Sequence, residues 1–111
     1  MVNRSIPLYS EINRSAVSWT EQFYLPETKV YDVGCSTGTT LNLLFAKFQS
    51  TGRDIEAIGF DTSMPMLDKA RQRLKPFASQ VQLLHRDARH ARFTNASVVI
   101  MNFTMQFLPV A

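Results

Sequence analysis

Hydrophobic positions recur along the chain with two alternating periods, and together they mark out a series of short elements. Ile12, Ala16, Trp19 and Phe23 are spaced four, three and four apart. That spacing predicts an amphipathic helix from Tyr9 to about Tyr24 with those four residues on its buried face, stopped by Pro26. Lys29 to Val33 is short and rich in β-formers, predicting a strand that runs into Gly34-Cys35-Ser36-Thr37-Gly38. Leu41, Leu44, Phe45 and Phe48 then mark a second helix that closes at Gly52.

The cycle repeats with Glu56 to Phe60 as a strand and Asp61-Thr62-Ser63 as a turn, followed by a helix carrying Met66, Leu67, Ala70 and Leu74. Ser63 suits the N-cap, Pro65 falls in the first turn where its missing N–H costs nothing, and Pro76 ends the helix. Val81 to Leu84 predicts a third strand and Ser97 to Phe103 a fourth. The nearly unbroken apolar run Val98 to Met101 suits a strand covered on both faces.

Strand, helix, strand, helix, strand, strand is the rhythm of an α/β fold with a doubly wound parallel sheet. Ligands of such sheets lie beyond the carboxyl ends of the strands. The residues there are Gly34 to Gly38, Asp61-Thr62, Asp87-Ala88 and Asn102 to Gln106.

Composition narrows the class further. At 111 residues, 45% of them hydrophobic, one core is affordable and two independent domains are not. Eight Phe, three Tyr and one Trp exclude a disordered chain. No apolar run approaches the ~20 residues of a membrane span, and the N-terminus lacks the layout of a signal peptide. A cytoplasmic protein is expected, in keeping with a single cysteine, Cys35, that has no internal partner. The net charge of +3 is carried by runs such as Lys69, Arg71, Arg73, Lys75 and Arg86, Arg89, Arg92. These read as solvated faces, since a nucleic-acid footprint would be denser and interleaved with exposed aromatics. His85 and His90 lie five apart without a Cys or Glu ligand at suitable spacing, so no metal is expected.

The loop after the first strand carries the candidate chemistry. A glycine-rich turn from strand to helix brings backbone N–H groups close to a ligand and presents the positive end of the next helix. The dinucleotide pattern G-x-G-x-x-G fails at Ser36 and Thr39, and the Walker pattern fails because no Lys-Ser or Lys-Thr follows. Cys35 reads as a small residue fitted to a tight loop, with no basic neighbour to activate it. Asp61 could accept hydrogen bonds from a vicinal diol, because a carboxylate's two oxygens take both protons in one plane. Equally, it could only start a turn. Asp87 could hold a ligand, cap the next turn or pair with Arg89.

Read as acidic-x-Gly-x-x-x-Gly, Asp32 to Gly38 resembles the first motif of S-adenosylmethionine-dependent methyltransferases, with Ser36 at the place of a middle glycine. Asp61 and Asp87 stand where that superfamily keeps acids for the ribose hydroxyls and the adenine amino group. A narrower resemblance is to the carboxy-S-adenosylmethionine synthases. It rests on Asn102-Phe103-Thr104-Met105-Gln106-Phe107-Leu108, on Gly34-Cys35-Ser36-Thr37-Gly38, and on Arg4-Ser5-Ile6-Pro7-Leu8-Tyr9-Ser10.

The resemblance implies a Rossmann-like sheet of the methyltransferase type, of which this chain holds four of an expected seven strands. Residues 1–28 would form a helical lid and 29–111 a partial nucleotide-binding domain. S-Adenosylmethionine would be lined by Tyr9, Gly34, Cys35, Ser36, Asp61, Thr62, Asp87, Ala88 and Asn102, with Tyr9 acting from the lid and Asn102 nearest the sulfonium. Family members convert S-adenosylmethionine and prephenate to carboxy-S-adenosylmethionine and phenylpyruvate, for the 5-oxyacetic acid modification of wobble uridine in tRNA. A sulfonium acidifies the C–H bonds of its methyl group, so that carbon can take up carbon dioxide released from prephenate. The Arg expected to grip prephenate would follow the fourth strand, beyond Ala111. Thr62 stands where some members carry Asn; both can hydrogen-bond. Two other readings are a methyltransferase acting on a small molecule or tRNA, and a nucleotide-binding module that chiefly self-associates through an open fourth strand. Either way a homodimer is expected, with no nucleic acid or membrane as direct partner.

Overall fold

The computed structural model of the chain describes residues 5–101, with side chains described from Glu11 onward. Helix α1 spans Ser5–Phe23, and the rest alternates as β1 (Lys29–Val33), α2 (Thr39–Ser50), β2 (Ala57–Asp61), α3 (Met64–Arg73), β3 (Val81–His85) and β4 (Ala96–Ile100). The four strands form one parallel sheet in the order β3-β2-β1-β4. β1 and β2 are therefore central, and all four strands point their carboxyl ends the same way. Chain order runs outward from β1 to β3 and then crosses back to place β4 against β1, a reversal of the kind that opens a ligand crevice.

The helices form because their apolar positions fall on one stripe, and that stripe is what they bury. Leu41, Leu44, Phe45 and Phe48 of α2 pack with Leu67 of α3, Leu74, and Val30 of β1 in the larger core cluster. Burial of each such side chain contributes roughly 1.5–3 kcal/mol. Ser63 caps α3, its Oγ accepting from the Met66 N–H at 3.3 Å, and Pro65 lies in the first turn as expected. The helix closes at Arg73, and Pro76 is carried in a separate 3-10 turn, Lys75–Phe77.

The winding is visible from one side. All three helices contribute to the larger cluster, α1 through Val17, α2 through Leu41, Leu44, Phe45 and Phe48, and α3 through Leu67. The opposite face, with Tyr31, Val33, Ile58 and Phe60, is covered by residues of the β3–β4 connection and its neighbours, among them Ala88, Ala91 and Phe93. The Phe93 ring meets Tyr31 edge-on with centroids 5.2 Å apart.

Two sequence-based expectations are corrected here. Helix α1 does not bury the stripe Ile12, Ala16, Trp19, Phe23. Its buried residues are Asn13, Val17 and Thr20, continued by Tyr24, while Trp19 and Phe23 are 63% and 52% exposed. The polar members of the buried stripe all find partners: Asn13 Oδ1 accepts from Thr40 Oγ1, Thr20 Oγ1 donates to the Ala16 carbonyl, and the Tyr24 hydroxyl donates to the Thr28 carbonyl. A hydrogen-bonded polar side chain is cheap to bury, so the stripe was set by these bonds rather than by hydropathy. Nor is β4 covered on both faces. It is an edge strand among the described residues, with Val99 40% exposed, because no described element lies beyond it. The expected extension to Phe103 lies outside the described residues.

Candidate functional site

The carboxyl ends of β1 and β2 meet in one compact turn system. Gly34 and Cys35 both donate their N–H groups to the Phe60 carbonyl, at 2.8 Å each, which ties the loop after β1 across to β2. Gly34, Ser36 and Gly38 have φ of 76°, 55° and 82°. Left-handed backbone at every second residue is the geometry that a triple-glycine loop serves. Ser36 adopts it despite its Cβ, held by its own N–H donating to Asp61 Oδ2 at 2.8 Å. Gly38 also has a packing role, since a Cβ there would lie 3.2 Å from Leu74 Cδ1 and 3.3 Å from Ala70 Cβ. Helix α2 starts at this loop with Gly38 as its N-cap and no side-chain cap, so its first N–H groups face the strand ends.

Asp61, the last residue of β2, is the hub. Oδ2 takes the Ser36 N–H and Oδ1 takes the Ser63 N–H at 2.9 Å, while its backbone carbonyl accepts from Arg86 at the end of β3. Each carboxylate oxygen keeps further lone pairs for a ligand. Thr62 is exposed beside it, its carbonyl 2.9 Å from His85 Nε2. Asp61 thus starts a turn and also stands at the mouth of the strand ends; the two readings of the sequence are compatible.

Asp87 shows the same double character. It caps the 3-10 turn Ala88–His90, accepting from the Arg89 N–H at 2.9 Å, and pairs with the Arg89 guanidinium at 3.0 Å. That cation and those hydrogen bonds hold its carboxyl at about 2. Ala88 follows at the start of the turn. Asp87 and Ala88 sit after β3, on the same end of the sheet as Asp61. Tyr9 lies within α1, but its side chain is outside the described residues, and Asn102 is outside them altogether. The structure therefore brings together Gly34, Cys35, Ser36, Asp61 and Thr62, and sets Asp87 and Ala88 at the end of the neighbouring strand.

Cys35 is buried, and its thiol is pushed up to about 12, first by desolvation and then by the charges of Asp32 and Asp61. Such a thiol is no nucleophile at neutral pH. Its Sγ rests against Gly59 of β2, where a Cβ would come within 2.9 Å. Two residues of consequence were not singled out from sequence as site residues. Gly59 makes the room for Cys35, and a glycine inside a strand is the signal that could have found it. Asp32 was read only as part of the loop motif; it is 2% exposed, and burial followed by the charge of Asp61 raises its carboxyl to about 7.

A raised carboxyl costs stability once it must ionise. The folded chain keeps the Asp32 proton through a window in which the unfolded chain has lost it, so stability falls as pH rises from about 4 to about 7. Asp32→Asn removes that loss. Thermal melts should show the variant gaining on the natural chain by several degrees between pH 5 and pH 8; a constant offset between the two would contradict the buried-carboxyl assignment.

The comparisons with known proteins agree with this architecture. The methyltransferase domain family matches residues 30–111, and the chain belongs to that family. Among curated proteins it is similar to the carboxy-S-adenosyl-L-methionine synthases. It is 43% identical to that of Trichodesmium erythraeum over 97% of this chain and 42% of the relative. With that of Actinobacillus succinogenes it shares 41% over 98% of this chain and 45% of the relative. The chain thus spans less than half the length of these curated relatives. Among solved structures, a putative S-adenosyl-L-methionine-dependent methyltransferase of Methanococcus maripaludis superposes with a TM-score of 0.69 at 18% identity, over 95% of this chain and 48% of the other. A Geobacter sulfurreducens methyltransferase in complex with S-adenosyl-L-homocysteine gives 0.61 at 22%, over 82% of this chain and 35% of the other. The expected fold class and the resemblance to carboxy-S-adenosylmethionine synthases are both supported. Among the described residues, no helix is long and apolar enough to cross a membrane, and no cluster of His, Cys, Asp and Glu could hold a metal.

Proposed function

We propose that this chain supplies the S-adenosylmethionine site of a carboxy-S-adenosylmethionine synthase, a transferase that carboxylates the ligand's methyl group at the expense of prephenate. The observation that carries the reading is Asp61, fixed by two backbone N–H groups at the carboxyl ends of β1 and β2 beside a loop with three left-handed residues. Asp61 would accept the ribose hydroxyls, and Asp87 the adenine amino group, with the Ala88 N–H reaching a ring nitrogen. The loop from Gly34 to Gly38 and the uncapped start of α2 would face the methionine portion. Tyr9 would close over the ligand, and Asn102 would approach the sulfonium. Similarity to named synthases over nearly the whole chain supports the narrower activity. The product would serve the modification of wobble uridine in tRNA.

When bound, the ligand supplies a sulfonium that makes its methyl carbon acidic enough to be carboxylated. Conversion of prephenate to phenylpyruvate would supply the carbon dioxide added to the methyl group, with water as the remaining product. The described residues would bind and orient the ligand. Incubation of the protein with S-adenosylmethionine and prephenate, followed by mass spectrometry, tests the reading. Formation of the carboxylated adenosyl product together with phenylpyruvate is expected. Transfer of the methyl group to an acceptor without prephenate would instead favour an ordinary methyltransferase.

Self-association is the second part of the proposal. Edge strand β4 and the exposed Trp19 and Phe23 flank a groove of about 710 Å³ lined by Ile12, Ala16, Trp19, Phe23, Val99 and Met101. An unpaired apolar edge is a template for a second copy. Light scattering at micromolar concentration should report a dimer; a clean monomer would contradict this part.

A further inference from the structure

A second cavity lies on the outer side of β3, an edge strand among the described residues, away from the carboxyl ends of the strands. It measures about 270 Å³ and is lined by Arg71, Leu74, Lys75, Ala78, Val81 and Leu83. The chain makes this pocket because α3 ends at Arg73 and the turn Lys75–Phe77 follows at once, so that the helix end and the turn stand over the first half of β3. Leu74 is buried, and Val81 and Leu83 pack partly buried against the larger core cluster, so these three form the floor and inner wall. Arg71, Lys75 and Ala78 are exposed and form the rim.

The charge on that rim has one sign. Arg71 and Lys75 are four residues apart, about one helical turn, and so come to the same side of the helix end. Asp68 accepts one N–H of Arg71 at 3.0 Å but does not line the cavity, and the guanidinium keeps its other donors. The Lys75 ammonium has no ion-pair partner among the described residues. Of the other cations in this run, Lys69 is outside the lining and Arg73 reaches instead to Thr39 Oγ1 at 3.1 Å. Two of the four cations whose spacing reads as a solvated face therefore border a cavity.

An apolar floor under two cations makes two demands of a ligand. Leu74, Ala78, Val81 and Leu83 offer no hydrogen-bonding side chain, so a bare inorganic anion would give up hydration for little return. A neutral apolar molecule would leave the rim charges unused. The cavity is also smaller than the roughly 300–1,000 Å³ that houses a drug-sized ligand, so its occupant is small.

We propose that this pocket binds a small carboxylate with an aromatic or branched aliphatic body. The body lies on Leu74, Val81 and Leu83, and the carboxylate accepts from the Arg71 guanidinium and the Lys75 ammonium at the rim. The pocket shares no lining residue with the strand-end site and stands whether or not an adenosyl ligand binds there. Its inner wall is packed into the fold: a Cβ on Gly38 would lie 3.2 Å from Leu74 Cδ1, and one on Gly59 3.0 Å from Leu83 Cδ2. The methyl groups of these two leucines are therefore ordered, local reporters of occupancy.

The test is an NMR titration of the protein, with its leucine methyl groups labelled, using 3-phenylpropionate as the probe at neutral pH. Acetate supplies the charge without the body, and 3-phenylpropionamide the body without the charge. Saturable shifts at the Leu74 and Leu83 methyl groups are expected with 3-phenylpropionate, and binding about tenfold weaker for acetate and for the amide. Arg71→Gln and Lys75→Gln should each weaken the probe about threefold and together about tenfold, the size of exposed charge pairs. Both side chains are exposed, so these variants keep the fold. Ala78→Phe, also at an exposed position, should fill the mouth and abolish the shifts. Absence of saturable shifts with 3-phenylpropionate would overturn the inference. Equal binding of the amide, or binding undiminished when both cations are removed, would overturn it by showing an apolar crevice without charge selection. Shifts that persist in Ala78→Phe would overturn it as well, placing the probe elsewhere.

Discussion

Asp61→Ala is expected to weaken binding of S-adenosylhomocysteine at least about 100-fold while leaving the sheet folded. Two hydrogen bonds from a diol to one carboxylate are each charge-assisted and contribute about 1.5–3 kcal/mol, so losing both costs at least two decades in affinity. A second effect acts in the same direction. The Asp61 carboxylate also holds the Ser36 and Ser63 N–H groups, so its removal loosens the left-handed residue at the centre of the loop and the entry into α3. Most of the core lies away from this turn, in the helices against the sheet, so far-ultraviolet circular dichroism should be nearly unchanged. Equal affinity in the variant and the natural chain would remove Asp61 from the site.

The largest effect on stability is expected at Gly59→Ala. The new methyl carbon would stand 2.9 Å from Cys35 Sγ and 3.0 Å from Leu83 Cδ2. Gly59 sits in central strand β2, paired with Asp32 of β1 on one side and Leu83 of β3 on the other, so the backbone cannot simply move away. Overpacking of this kind costs about 1–3 kcal/mol. For a domain of this size that corresponds to a melting temperature lower by roughly 5–15 °C. The thiol sulfur is the nearest atom, just ahead of Leu83 Cδ2 and of Cys35 Cβ at 3.1 Å, which gives a sharper form of the prediction. Cys35→Ala should restore part of the loss, with a coupling of about 1 kcal/mol in a double-mutant cycle. Additive effects of the two substitutions would show that the sulfur is not what Gly59 accommodates.

The strand rhythm was legible in sequence because β1 and α2 obey period and punctuation together. Lys29–Val33 ends in a glycine turn, and Leu41, Leu44, Phe45 and Phe48 fall on one stripe. Ser63 and Pro65 announced the start of α3 by cap chemistry alone. Hydropathy failed on α1 for a definite reason. Its inward face joins Val17 to Asn13 and Thr20 and is continued by Tyr24, polar groups whose hydrogen bonds to Thr40, Ala16 and Thr28 can be seen only in three dimensions. The more apolar stripe, with Trp19 and Phe23, turns instead to the groove beside β4. The exposure of Val99 was hidden for a related reason: an apolar run reports that a strand is able to be covered, not that a neighbour is present.

At the candidate site, residue type and position were readable but charge state was not. Asp61 at the end of β2 followed from the alternation of strand and turn. The raised carboxyl of Asp32 depends on how completely the loop and helices close over it, and on the approach of Asp61 from another strand. No pattern within a single segment carries that information. Asp87 shows the converse. Its pairing with Arg89, two residues on, is local and could be anticipated from sequence.

Binding of S-adenosylhomocysteine to the natural chain, followed by isothermal calorimetry and repeated with Asp61→Ala, tests the strand-end site most directly. One saturable site per chain that disappears in the variant is the predicted result. Absence of saturable binding to the natural chain, or binding that survives loss of the Asp61 carboxylate unchanged, would contradict it.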